Sequence, residues 1–208
     1  YPSIKRLDPA SWLKIENGRI VGRHRYWSPP APSNQNEKRP KFDATSMDQI
    51  HEALVDSVSS RLLSDVPACL FLSSGIDSTL VAAITKNDLG RDVETITISY
   101  PRGNTNDESE AAAEIAMTLN LSHRVIPSVD EGEEISPSNL LNLFGQPNGN
   151  ITITSVIQMA KVAANQGFRV GLTGMGGYEI FFGYGKQAFA YHHRALYNLP
   201  ESVRRMLG

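Results

Sequence analysis

The residues best suited to chemistry stand together in Ser73-Ser74-Gly75-Ile76-Asp77-Ser78, where five of the six are Ser, Gly or Asp. They follow the apolar run Cys69-Leu70-Phe71-Leu72 and precede Thr79-Leu80-Val81-Ala82-Ala83-Ile84, so the pattern reads strand, small-residue turn, helix. A turn of this kind can cradle a phosphate. Small side chains let successive backbone N–H groups approach an anion, the helix N-terminus adds the positive end of its dipole, and the outer hydroxyls donate further hydrogen bonds. Asp77 then stands where a cation bridging phosphates has to be held. The alternative is an ordinary strand-to-helix turn with Asp77 or Ser78 as the helix cap, but a cap needs only one polar residue. The stretch is not a P-loop, since no Gly-Lys-Ser/Thr follows, and not a dinucleotide fingerprint, since G-x-G-x-x-G is absent.

The elements that must position this turn alternate. Strands are expected at 66–72, 93–100, 123–127 and 168–172, with helices at 78–86, 107–119, 135–144 and 153–166, and an amphipathic helix precedes them at 46–63, carried by Ile50, Leu54, Val58 and Leu62. Alternation of this kind specifies an α/β fold: a mostly parallel sheet with helices on both faces. Ligands bind such sheets outside the carboxyl ends of the strands. A second small-residue turn, Thr173-Gly174-Met175-Gly176-Gly177, falls at that same edge, so one ligand can touch both turns. Ahead of all this, two alternating runs flank Asn17-Gly18, a strong hairpin signal. Residues 28–40 hold four prolines and read as a linker or surface loop. The expected organisation is therefore an N-terminal hairpin and linker over 1–45 and an α/β domain over 46–208.

Bulk properties narrow the classes. The chain has 208 residues, enough for a sizeable core, and 20 basic against 22 acidic residues give a net charge of −2. No global field favours nucleic acid or an anionic membrane. The short basic patch Lys38-Arg39-Pro40-Lys41 reads as solvated surface. No apolar run approaches the roughly 20 residues of a membrane span. The single cysteine, Cys69, lies in an apolar strand, where it reads as a small core residue, and no intrachain disulfide is possible, which suits a reducing cytoplasm. His192-His193 has no third ligand at metal spacing, and neither Ser73 nor Ser155 has a nucleophile elbow.

The first turn resembles the S-G-G-x-D-S loop of the ATP pyrophosphatases, with Ser74 at the second position. The run from Gly171 to Tyr184, Gly-Leu-Thr-Gly-Met-Gly-Gly-Tyr-Glu-Ile-Phe-Phe-Gly-Tyr, resembles the L-S-G-x-G-G-D-E-L-F-G-G-Y segment of the asparagine synthetase and β-lactam synthetase family. Three further pieces agree in order: Lys5-Arg6-Leu7-Asp8-Pro9-Ala10 through Tyr26-Trp27, Asn106-Asp107-Glu108-Ser109, and Gln146-Pro147. Five collinear pieces cover nearly the whole chain.

This resemblance implies an ATP pyrophosphatase-type fold and an ATP-dependent amide ligase that activates a carboxylate as an acyl-AMP. It implies ATP and Mg2+, with Leu72, Ile98, Thr173 and Gly174 against adenine and ribose, Ser73, Ser74, Gly75, Asp77 and Ser78 on the outer phosphates, and Asp77 on the metal. The implied partners are a small-molecule carboxylate, an amine or ammonia, a glutaminase domain or subunit expected to precede Tyr1, and a second copy of the chain in a homodimer, with neither nucleic acid nor membrane among them. A further helical part bearing a Lys is expected after Gly208, so the chain reads as a fragment. Two departures stand out. Tyr178 replaces the family's second metal-ligating Asp, and a phenol with a pKa of about 10 is no equivalent ligand; the adjacent Glu179 is left as the candidate catalytic carboxylate. Gly145-Gln146-Pro147-Asn148-Gly149-Asn150 stands where the family reads D-E-P-x-A-D, which leaves open a β-lactam synthetase-like or peptide macrocyclase-like ligase, or a nucleotide-binding module without catalysis.

Overall fold

The computed structural model describes residues 4–29, 43–101, 107–128, 137–146 and 153–193. The basic patch Lys38-Arg39-Pro40-Lys41, most of the 28–40 linker, Asn106, Ile135 and 147–150 lie outside them. The chain divides into two compact units, Tyr1–Asp43 and Ala44–Gly208.

The first unit is the expected hairpin. β1 (Ser11–Glu16) pairs antiparallel with β2 (Arg19–Arg25). Asn17 and Gly18 both take positive φ, 49° and 75°, as a two-residue turn that matches strand twist requires. The register shifts between Lys14 and Ile15, where pairing passes from Gly22 to Ile20.

The second unit alternates helices and strands: α1 (Ala44–Arg61), β3 (Ala68–Phe71), α2 (Ile76–Ala83), β4 (Glu94–Ser99), α3 (Ser109–Thr118), β5 (His123–Pro127), α4 (Pro137–Phe144), α5 (Ile153–Asn165), β6 (Val170–Leu172), α6 (Gly177–Phe181) and α7 (Gly185–His192). The strands form one parallel sheet in the order β5-β4-β3-β6. Side-chain alternation along β3 divides the core. Leu70 points into a cluster with Val58, Leu62, Ala82, Ile84, Ala112 and Ala116, from the α1, α2 and α3 side. Cys69 joins Ile96 and Ala163 on the α5 side, with Phe71, Ile126 and Phe168 packed against them. Helices therefore cover both faces, and Cys69 is a buried core residue whose thiol pKa burial pushes up.

Local departures from the expected elements have physical causes. The helix begun by α2 runs on as one wide turn over Ile84–Asp88, closed by Leu89 N–H donating to Ile84 O at 3.0 Å, and the buried Thr85 hydroxyl donates back to Val81 O at 2.7 Å. Gly171 in β6 leaves room for the Phe71 ring, which would lie 2.8 Å from a β-carbon there. No helix among the described residues is long and apolar enough to cross a membrane.

Candidate functional site

The small-residue turn lies between the carboxyl end of β3 and the start of α2, and its shape comes from its own hydroxyls. Ser73 N–H donates to Ser78 Oγ at 3.1 Å, the two hydroxyl oxygens stand 2.9 Å apart, and Gly75 N–H donates to Ser73 Oγ at 3.2 Å. Ser78 Oγ lies 3.1 Å from both Ser73 O and Gly75 O, so its single proton has several acceptors to choose between. Thr79 Oγ1 donates to Gly75 O at 2.9 Å. Gly75 is the helix cap, in extended backbone and without a side-chain capping bond, so neither Asp77 nor Ser78 is the cap of an ordinary turn. Asp77 lies in the first helical turn, where the dipole favours a carboxylate.

The sheet supports the turn from behind. Leu72 N–H donates to Ile96 O at 2.9 Å, and the buried Thr97 hydroxyl donates to Leu72 O at 2.6 Å. Leu72 and Ile98 are both buried at the carboxyl ends of adjacent strands. Exposed Thr173 accepts Met175 N–H at 3.2 Å in the turn that follows β6.

The two turns meet at Asp77. A β-carbon on Gly174 would stand 2.6 Å from Ser78 N and 2.7 Å from Asp77 Cβ, and one on Gly177 would stand 2.6 Å from each Asp77 carboxylate oxygen. Real side chains do not pack that closely. Gly174 faces backbone atoms and requires glycine for reasons of space alone, whereas a side chain at Gly177 would have to displace the Asp77 carboxylate. Gly176 between them takes φ +104°, a left-handed conformation that a side chain would strain. β6 lies next to β3 in the sheet, which is why turns about a hundred residues apart in sequence share one place in space. A cavity of about 500 Å³ opens beside them, with Asp77, Thr173 and Gly174 on one wall and Leu80, Val81 and Ile180 among the rest.

Beyond Gly177 the substituted segment forms its own cluster. Tyr178 packs edge-on against Tyr184, with ring centroids 5.1 Å apart, and its ring fills the space that a β-carbon on Gly183 would need. The Tyr184 hydroxyl donates to Glu179 Oε1 at 2.7 Å; that bond holds the Glu179 carboxyl below its ordinary range and pushes the Tyr184 phenol up. Lys186 Nζ stands 5.0 Å above the Tyr184 ring. Among the described residues no group of three or more His, Cys, Asp or Glu side chains stands together to hold a metal. His193 stacks on Phe189 at 4.1 Å and its Nδ1 lies 2.9 Å from Phe189 O, a local role on α7. Ser155 Oγ stands 2.5 Å from the Tyr100 hydroxyl.

One participant escaped the residue reading. Glu108, at the cap of α3, takes the Ser74 N–H with Oε2 at 3.0 Å. Its place in the Asn106–Ser109 piece was visible in the sequence, but no local signal carries a contact between residues 34 positions apart.

Residues 49–207 match the asparagine synthase family. Across 99% of its length the chain is 29% identical to asparagine synthetase B (glutamine-hydrolysing) of Escherichia coli K12, covering 38% of that protein. Across 88% of its length it is 24% identical to the amidase chry2 of Gibberella zeae, covering 29% of it. The chain thus spans about a third of the length of the curated relatives it matches. Among solved structures, the NH3-dependent NAD synthetase of Campylobacter jejuni overlays 66% of this chain and 60% of its own, at 21% identity and a TM-score of 0.43, too loosely to bear on the site.

Proposed function

Because this chain belongs to the asparagine synthase family, we propose that it is the nucleotide-binding part of an ATP-dependent carbon–nitrogen ligase. In this reading a substrate carboxylate oxygen attacks the α-phosphorus of ATP, the bond from that phosphorus to the bridging oxygen breaks, and pyrophosphate leaves. An amine or ammonia then attacks the acyl carbon and AMP departs. Ser73, Ser74, Gly75 and Ser78 receive the outer phosphates through N–H and hydroxyl groups. Thr173 and Gly174, in the cavity wall, stand against adenine and ribose beside the chain at Leu72 and Ile98, which are buried outside the cavity lining.

Asp77 fits a Mg2+ ion. That cation keeps most of its water and takes one or two carboxylates together with phosphate oxygens, so a single Asp at the mouth of the loop is an adequate protein share. Bound there, Mg2+ would offset the charge that gathers on departing pyrophosphate. The observation that carries the reading is the closure of both turns on one residue: Gly174 lies against the Asp77–Ser78 backbone with no space for a side chain, and Gly177 lies against the Asp77 carboxylate.

Calorimetry with Mg-ATP tests this. The Asp77→Ala variant should lose roughly tenfold or more in affinity for Mg-ATP and far less for metal-free AMP. Equal losses for both ligands would remove Asp77 from the metal.

The release of ammonia from glutamine is assigned to a glutaminase domain or subunit outside this chain, so the chain alone should form no amide from glutamine. A second reading, nucleotide binding without catalysis, is favoured by Tyr178, whose ring packs on Tyr184 where a carboxylate ligand is expected. Substrate-dependent exchange of labelled pyrophosphate into ATP separates the two, since only the ligase supports it.

A further inference from the structure

Three successive N–H groups of the loop are already taken. Ser73 and Gly75 donate to Ser78 Oγ and Ser73 Oγ, neutral hydroxyls of the loop itself, which can turn and donate to a phosphate oxygen. Ser74, between them, donates to the Glu108 carboxylate at 3.0 Å. That acceptor differs in kind, being an anion from another element on a donor suited to an anion. A phosphate oxygen and Glu108 cannot share one N–H without two negative charges coming into contact.

The placement of Glu108 follows from its helix. Asp107 Oδ1 takes the Ser109 N–H at 3.2 Å, so the capping work at this end falls to Asp107, and Glu108 makes no side-chain capping bond. Ser109, Ala112 and Ala116 are buried and fix the α3 backbone, whereas Glu108 is exposed. Its carboxylate therefore reaches the loop from an anchored backbone and can withdraw into water without disturbing the core.

We propose that Glu108 is a tethered competitor for the phosphate site: it occupies Ser74 N–H while the loop is empty, yields it to a phosphate, and retakes it as pyrophosphate departs. This rests on the reading of residues 73–78 as a phosphate loop. A tethered carboxylate acts at high effective concentration, so it limits how tightly the product anion is held.

Pyrophosphate is the probe, with affinity measured by calorimetry in Mg2+ and again in chelator, for the wild-type chain, Glu108→Gln and Glu108→Ala. Glu108→Gln keeps an acceptor oxygen at the same reach and removes only the charge. It should tighten pyrophosphate by roughly three- to tenfold in both conditions with an unchanged melting temperature. Glu108→Ala should tighten it in the same direction. Unchanged affinity overturns the proposal, as does weakening in both conditions, which would make Glu108 a brace of the loop, or weakening in Mg2+ alone, which would make it a metal ligand. A wild-type chain that binds neither pyrophosphate nor ATP overturns the phosphate-loop reading and the competitor with it, whereas binding that ignores Glu108 overturns the competitor alone.

Discussion

The Asp77 carboxylate and the α-carbon of Gly177 approach so closely that a methyl group on Gly177 would stand 2.6 Å from both carboxylate oxygens. The carboxylate is therefore positioned by the absence of a side chain across from it. Gly177→Ala should push Asp77 aside, destabilise the fold by about 1–3 kcal/mol and weaken Mg-ATP binding. In an Asp77→Ala background the same methyl group should cost much less, because its clash partner is gone. Denaturant melts and calorimetry across the double-mutant cycle measure this coupling, and strict additivity would show that the two residues do not press on each other.

Thr97→Val removes the hydroxyl that donates to Leu72 O at 2.6 Å in a buried setting. The carbonyl then loses a partner that water cannot replace, and unfolding free energy should fall by about 1–3 kcal/mol. Urea titration reads the change. A neutral result would mean that the backbone at the base of the loop re-pairs elsewhere.

Tyr178→Asp exchanges a ring packed on Tyr184 for a carboxylate beside Glu179. Pyrophosphate should bind more tightly in Mg2+, because a carboxylate oxygen suits a hard cation, and more weakly in chelator, because the added charge repels phosphate. If affinity in Mg2+ stays constant while Glu179→Gln abolishes it, Glu179 already serves as the ligand, with Oε2 left for the metal while Oε1 holds the Tyr184 hydroxyl.

His123 should give the fold a pH dependence. Thr95 donates its hydroxyl to Ser122 O at 2.8 Å, so it accepts from the His123 Nδ1 that stands 2.8 Å away, and the buried Nε2 has no partner. Burial lowers the pKa from its ordinary value of 6.5, so the unfolded chain takes up a proton more readily than the folded one. The contribution is complete above about pH 6.5 and is lost as pH falls through the depressed folded value. Melting temperatures between pH 7.5 and 5.5 should fall more for the wild type than for His123→Gln.

The sheet was legible because β3 is an apolar run, β4 alternates Thr with Ile, and each strand is set off by turn residues, and both small-residue turns were legible from composition alone. α6 and α7 were not: Gly176, Gly177 and Gly183 break the periodicity there, and the helices are only 5 and 8 residues long. The spatial demand for glycine at 174 and 177 was hidden for a different reason. A flexible turn and a crowded one use the same residue, and only the neighbour across the gap tells them apart. Glu108 was hidden because the partner of a loop N–H is chosen by how α3 lies beside β3, which no local pattern encodes.

The central position of β3 also governs the timing of assembly. Its Leu70 pairs on one side with Thr95 and on the other with Leu172, so one edge closes early in synthesis and the other waits for a segment on the order of 100 residues further on. At about 5–20 residues per second, a ribosome would leave that edge unpaired for roughly 5–20 s. An open strand edge is a template for joining other chains. The first turn is thus made early yet finished late, and a nascent chain stalled before Val170 carries half of the site on a strand with one edge open.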